Sequence, residues 1–304
     1  MPAPSRNAPS RPVGAHAPIT GGIATGSLRY AAAVRAEAMQ IFVTNPRAWA
    51  ASPVEEEQIA KLRRHVATTG LPVFVHAPYL INVGSPDQLV HERSAGLLAH
   101  CLRRAVDIGA RGVVVHAGSA TTADRASGLR RAREALLPLL DAIPDAGTDV
   151  LIEPMAGQGT TLCASVAEIG SYLDALGWHP RARLCLDTCH LFAAGHDLTA
   201  TDGVDAALAS LADVAPGRLG LIHANDAGHG CGSKKDRHCN IGKGMLRTRP
   251  FWELLHHPDT AGIPFVVETP CGEQGQAKDV ARLKRLRESA RAPAMRAPAL
   301  AASD

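Results

Sequence analysis

Aromatic side chains account for only 4% of the 304 residues, so a core here has to be built from Val, Leu, Ile and Ala. No apolar run approaches the roughly 18 residues that a membrane span requires, which argues against an integral membrane protein. The opening segment, Met1 to Pro12, has no apolar stretch of the kind a secretory signal carries, and a soluble, cytoplasmic chain is expected. The seven cysteines are scattered, odd in number and never spaced C-x-x-C. That speaks against a disulfide framework and for reduced, mostly buried thiols. Also missing is a G-x-G-x-x-G after the first apolar run, which weakens the case for an open dinucleotide-binding sheet. Apolar material is not lacking: 46% of residues are hydrophobic and 20% charged, the balance of a globular chain rather than a disordered one.

Net positive charge is missing from the body of the chain. Of the net +3, residues 1–12 carry +2 and the segment from Arg282 onward +4, which leaves −3 for residues 13–281. A formally acidic body is a poor basis for holding nucleic acid unless something adds positive charge. The Arg/Ala/Pro-rich ends are expected to be disordered, at 1–12 and 288–304, around one domain over 13–287, with arginines free to touch phosphate. What the chain does have is histidine, 14 residues of it.

Eight short apolar runs recur along the chain. They are Val13-Gly-Ala-His16, Met39-Gln-Ile-Phe-Val43, Val73-Phe-Val-His76, Val113-Val-Val-His116, Val150-Leu-Ile-Glu153, Leu184-Cys-Leu-Asp187, Leu221-Ile-His223 and Phe265-Val-Val-Glu268. Aliphatic runs without alternation suit strands buried on both faces, hence a parallel sheet. Between them, segments such as Glu92 to Ile108, Ala123 to Ala142 and Val166 to Leu176 place apolar residues at helical intervals and read as crossover helices. Eight such units with no linker between halves predict an α/β protein, a single-domain (β/α)8 TIM barrel.

Six of the runs finish with two apolar residues and then a His, Asp or Glu in the same phase: His76, His116, Glu153, Asp187, His223 and Glu268. At the carboxyl ends of parallel barrel strands all six face one mouth, where such barrels place their chemistry. Imidazoles and carboxylates converging there repel or stay desolvated unless a cation sits among them. This donor set, without organised thiolates, suits Zn²⁺, Mn²⁺ or Fe²⁺. Asp187-Thr-Cys-His190 adds a second ligand type just beyond a strand end. Asp236-Arg-His238, at the end of a Gly-rich loop, points two side chains to one side of an extended segment. Beside His190 the pair completes a three-ligand site with an open position.

Taken together these segments resemble the endonuclease IV family of apurinic/apyrimidinic-site DNA repair enzymes. The resemblance runs from Val13 to about Lys284, through Gly14-Ala-His16, Asn45-Pro-Arg47-Ala-Trp49, His76-Ala-Pro-Tyr79-Leu80-Ile-Asn82 and His116-Ala-Gly-Ser119. It continues through Glu153 with Ala156-Gly-Gln-Gly159, Asp187-Thr-Cys-His190, His223-Ala-Asn225-Asp226, Asp236-Arg-His238, Ile241-Gly-x-Gly244 and Glu268-Thr-Pro270. It implies three Zn²⁺ per chain: one on His76, His116 and Glu153, a second on Glu153, Asp187, His223 and Glu268, and a third on His190, Asp236 and His238. Three divalent ions turn the −3 body into +3. The implied reaction is metal-assisted hydrolysis of the phosphodiester 5′ to an abasic site in duplex DNA, with removal of 3′ blocking groups beside it. Glu153, Asp187 and Glu268 carry the catalytic roles.

For DNA, the resemblance points to Arg47, Tyr79, Leu80, Gln158 and Asn225 as contacts, with the abasic nucleotide turned out of the stack. Trp49 is expected to anchor its loop in the core instead. Pro154-Met155, Ala227-Gly228 and Cys239 depart from the family pattern, and none of them removes a ligand. A monomer is expected. The alternative is a metal-dependent sugar isomerase or epimerase on the same barrel, for which Glu153, Asp187, His223 and Glu268 suffice. His76, His116, His190, Asp236 and His238 are surplus to that reading, and a DNA-damage binder without catalysis would not need intact ligands.

Overall fold

The computed structural model describes residues 11–51, 54–144 and 147–293. Seven strands follow in turn: β1 (Val13–His16), β2 (Met39–Ile41), β3 (Val73–His76), β4 (Gly112–His116), β5 (Asp149–Glu153), β6 (Ala182–Asp187) and β7 (Leu219–His223). A short antiparallel pair, β8 (Asp226–Ala227) and β9 (His238–Cys239), precedes the last strand, β10 (Phe265–Val267). β1 to β7 and β10 close into a parallel barrel, β10 lying between β7 and β1. The helices are α1 (Thr25–Ala33), α2 (Glu56–Thr69), α3 (Gln88–Ile108), α4 (Arg125–Asp141), α5 (Val166–Ala175), α6 (Thr188–Ala194), α7 (Gly203–Val214), α8 (Arg249–His256) and α9 (Gly272–Glu288). This is a TIM barrel, as the eight-run pattern predicts. The helix starts are fixed by caps: Asp87 accepts from Val90 N at 2.9 Å and Asp124 from Ser127 N at 2.8 Å. That is why α3 begins a turn before Glu92 and α4 begins at Arg125.

Strand alternation divides the residues into two sets. Outward-facing Val13, Met39, Ile41, Val73, Val75, Val113, Val115, Val150 and Ile152 pack under the helices in the main core. Inward-facing Ala38, Phe74, Val114, Leu151, Cys185, Leu221 and Val266 form a separate apolar plug inside the barrel. At the matching position of β1 stands Gly14, where any Cβ would collide with the Ala38 carbonyl. Two residues further along every strand the inward position is polar: His16, Gln40, His76, His116, Glu153, Asp187, His223 and Glu268. The plug therefore seals the barrel beneath a ring of eight polar side chains.

The tails join the barrel differently from expectation. Arg11 donates to the His257 carbonyl at 2.6 Å and to Thr260 Oγ1 at 3.0 Å, and Phe265 N donates to the Pro12 carbonyl at 2.7 Å. Arg11 and Pro12 thus belong to the ordered barrel, and the Arg11 guanidinium is spent on the face opposite the strand carboxyl ends. At the other end α9 runs through Glu288, and Trp252 Nε1 donates to the Ser289 carbonyl at 2.9 Å. The remaining leader and tail, 1–10 and 294–304, lie outside the described residues.

Glu37 stitches β1 to α9. Its carboxylate accepts from Arg287 at 2.6 and 3.1 Å and from Val13 N at 3.1 Å, with Lys284 Nζ at 3.0 Å. Burial alone raises its pKa, but Arg287, the Val13 amide and Lys284 outweigh it and bring it down to about 2. A depressed carboxyl pKa contributes stability that is full above the unfolded value, about 4.5, and lost as pH falls through about 2. Glu37→Gln should therefore lower the melting temperature at neutral pH, and the gap to wild type should close as pH drops across that window. The carboxylate is 37% exposed, so solvent screening holds the loss to about 1 kcal/mol or less. A gap independent of pH would mean the ion pairs contribute nothing.

Candidate metal centre

Glu153, at the end of β5, is 1% exposed and each of its oxygens faces two imidazoles. Oε2 lies 3.3 Å from His76 Nε2 and 3.4 Å from His116 Nε2. Oε1 lies 3.1 Å from His223 Nδ1 and 3.4 Å from His190 Nδ1. Donor atoms of His76, His116 and Glu153 all lie within 4.8 Å of one another, as do those of Glu153, Asp187, His223 and Glu268. Glu153 is shared by both sets.

The third group is arranged less simply. Asp236 lies between His190 Nε2 at 3.3 Å and His238 Nε2 at 3.2 Å. Yet the compact set around both imidazoles includes Asp187, whose Oδ2 is 3.4 Å from His238 Nε2, and Asp236 groups with His238 and Cys189. The reason is position: Asp236 sits on the outer lip, 36% exposed, while Asp187 is fully buried at the centre. Burial pushes the Cys189 thiol up, so it offers a neutral sulfur.

Local structure aims these donors. Asp187 ends β6 and caps α6, its Oδ1 accepting from His190 N at 3.0 Å. The Nδ1 of His76 meets the Ala77 carbonyl at 2.7 Å and that of His190 meets the Pro154 carbonyl at 3.1 Å. Carbonyls only accept, so both rings carry hydrogen on Nδ1 and turn Nε2 inward. Because Pro154 contributes only its backbone, its departure from the family pattern leaves His190 held. Buried Asp226 organises the loop beyond β8 by accepting backbone N–H bonds from Ala227, Gly242, Gly244, Leu246 and Arg247 at 2.8–3.3 Å.

The electrostatics demand positive charge. Burial raises the pKa of Glu153, but His223 and His116 override it and hold the carboxyl far below its ordinary range. Glu268 behaves alike, burial being outweighed by His223, His16 and His76. Burial lowers the pKa of His190 and of His238, but Asp187, Asp236 and neighbouring carboxylates carry them up to about 10 and about 9. Glu153 Oε2, His190 Nε2 and His238 Nε2 are nevertheless buried without a hydrogen-bond partner, although imidazole nitrogens or carboxylate oxygens lie 3.2–3.4 Å away. Donor atoms that crowd together yet miss hydrogen-bond geometry fit lone pairs converging on a cation. The residues fit a metal centre. The cavity above them, about 210 Å³, is lined by His76, Tyr79, His116, Glu153, His190, Asp236, His238 and Glu268.

The residues expected at DNA divide. Tyr79 is 56% exposed on the rim, stacked on His116 at 6.1 Å and edge-on to Phe42 at 5.5 Å. Leu80 beside it is half-buried, and Arg47 is exposed on the loop after β2. Trp49 packs against the main core. Gln158 is exposed on the loop after β5 but does not line the cavity. Asn225 requires a correction: it is fully buried, donating to Asp187 Oδ2 at 2.6 Å and accepting from Glu268 N at 2.8 Å. It orients two carboxylate-bearing segments, and its side chain is turned into the protein rather than to the surface. The reading from sequence missed His16 and Gln40. Both share the parity of the ring, but the run containing Gln40 continues to Val43 while the strand stops at Ile41.

A model of the xylose isomerase-like TIM barrel family matches residues 28–291. A protein of Streptomyces coelicolor named "Probable endonuclease 4" is 49% identical over 287 residues, 93% of this chain and 98% of that one. The crystal structure of endonuclease IV from Thermus thermophilus superposes with a TM-score of 0.80 at 29% identity, covering 91% of this chain and 99% of that one. A D-tagatose 3-epimerase-like protein superposes with a TM-score of 0.68 at 18% identity over 90% of this chain and 97% of that one, a likeness of fold alone.

Proposed function

The chain belongs to the endonuclease 4 family of xylose isomerase-like TIM barrels, and from that premise we propose that it is a DNA repair endonuclease. Its reaction is hydrolysis of the phosphodiester 5′ to abasic sites in duplex DNA, with removal of 3′ blocking groups at the same centre. The observation that carries this reading is Glu153 standing between two donor sets, with three buried ligand atoms left unpartnered. His76, His116 and Glu153 would hold one Zn²⁺, Glu153, Asp187, His223 and Glu268 a second, and His190, Asp236 and His238 a third, with Asp187 close enough to share it.

Bound there, such ions supply charge to the phosphate oxygens and lower the pKa of water, so no side-chain nucleophile is needed. The chain does the rest. The apolar plug keeps water from reaching the ring from below, which strengthens every charge interaction at the mouth. Asn225 and the α6 backbone fix the Asp187 carboxylate, so the centre is held before DNA arrives. Tyr79 and Leu80 fill the gap left by an extruded nucleotide, and Arg47 reaches the groove beside it. Three ions also reverse the sign of the acidic body, which answers how such a chain attracts a polyanion.

The test is metal analysis of the purified protein beside incision of a duplex carrying one abasic analogue. Near three zinc-class ions per chain and a break on the 5′ side support the reading. A content near one, with Mn²⁺ restoring sugar isomerisation and no incision, overturns it in favour of the epimerase chemistry that four of these ligands would serve.

A further inference from the structure

Gln40 is fully buried in the three-residue strand β2 and points into the polar ring. A primary amide buried this way has to be satisfied on both its oxygen and its nitrogen. Its Oε1 lies 2.9 Å from His223 Nε2, and its Nε2 lies 2.7 Å from Glu268 Oε1 and 2.9 Å from His16 Nδ1. The orientation is determined by chemistry, because the flipped amide would set a carbonyl oxygen against the Glu268 carboxylate, acceptor on acceptor.

The consequence for His223 is a fixed tautomer. An amide oxygen only accepts, so His223 Nε2 keeps its hydrogen, and Nδ1 is the atom that faces Glu153 Oε1 at 3.1 Å and Glu268 Oε2 at 3.2 Å. This is opposite to His76 and His190, whose backbone partners hold the hydrogen on Nδ1 and present Nε2. The consequence for Glu268 is a fixed aim: Oε1 is occupied by the amide, and Oε2 is left toward the centre. His16 Nδ1 lies 2.9 Å from Gln40 Nε2 and 3.2 Å from Glu268 Oε1, so β1 closes the same corner of the ring.

We infer that Gln40 is a positioning residue of the metal centre, setting which nitrogen of His223 and which oxygen of Glu268 face the ion. The inference rests on the metal-centre reading above. Asn would be too short to span three partners, Glu would add a carboxylate 2.7 Å from Glu268, and Met keeps the length without a polar atom.

The experiment compares the full-length wild type with Gln40→Met and Gln40→Glu. Zn²⁺ affinity is read by competition with a chromophoric chelator, the ligand field by visible absorption after Co²⁺ loading, and the fold by circular dichroism and melting of the metal-free protein. The expected result is about tenfold weaker binding of one ion in Gln40→Met, a larger loss in Gln40→Glu, altered Co²⁺ bands in both, and an unchanged metal-free melt in Gln40→Met. Unchanged affinity and Co²⁺ bands in Gln40→Met, with wild type loading normally, overturn the inference and leave the centre standing. So does a collapse of the metal-free melt in step with the loss of every ion, which would make Gln40 a packing residue. A wild type that takes up no ion defeats the centre itself, and the inference with it.

Discussion

Glu153→Gln is expected to cut incision by roughly 10³-fold or more while leaving the barrel folded. The substitution keeps the volume of a side chain that is 1% exposed, so packing is conserved. What it removes is the charge shared by His76 and His116 on one oxygen and by His223 and His190 on the other. An amide presents hydrogens to one of those pairs, and a nitrogen that donates cannot ligate. Both ions that the carboxylate would bridge are therefore weakened together. Single-turnover incision of an abasic duplex, metal content and circular dichroism measured on one preparation decide the matter. Activity within a few-fold of wild type would show that Glu153 does not bridge.

Tyr79→Ala combined with Leu80→Ala is expected to weaken binding to an abasic duplex by about a hundredfold, roughly tenfold for each side chain. The two follow His76, the last residue of β3, by three and four residues, so the loop that leaves the strand sets them on the rim beside a candidate ligand. Tyr79 leans on His116 and Phe42 with more than half its surface open to the mouth, the posture of a ring available to a base. Metal content should not change, and a blocked 3′ end at a nick, already open, should suffer less than an intact duplex. Equal losses on both substrates together with lost metal would assign the pair to loop packing. Binding titrations on the two substrates separate these outcomes.

The barrel was legible because its two signals are local. Unalternating aliphatic runs mark strands buried on both faces, and helical spacing between them marks the crossovers, so eight units and their order can be read from neighbours in the chain. Six members of the polar ring were legible for the same reason, since a polar residue ending an apolar run keeps its phase. Caps at Asp87 and Asp124 moved helix starts by a few residues. Nothing in that local pattern separates Asn225 from a surface-facing neighbour. Its partners Asp187 and Glu268, 38 and 43 residues away, are what place it in the interior. Gln40 was concealed more deeply. Its run is apolar on both sides and its partners His223 and Glu268 are 183 and 228 residues distant. The sequence by itself thus determined the barrel, the mouth and most of the donors, through periodicities of two and 3.6 that each strand and helix carries alone. Which atoms of His223 and Glu268 face inward was decided only when the barrel closed and brought β2 and its neighbour β1 up to β10 and β7, because the hydrogen bonds of Gln40 depend on distances no local pattern encodes.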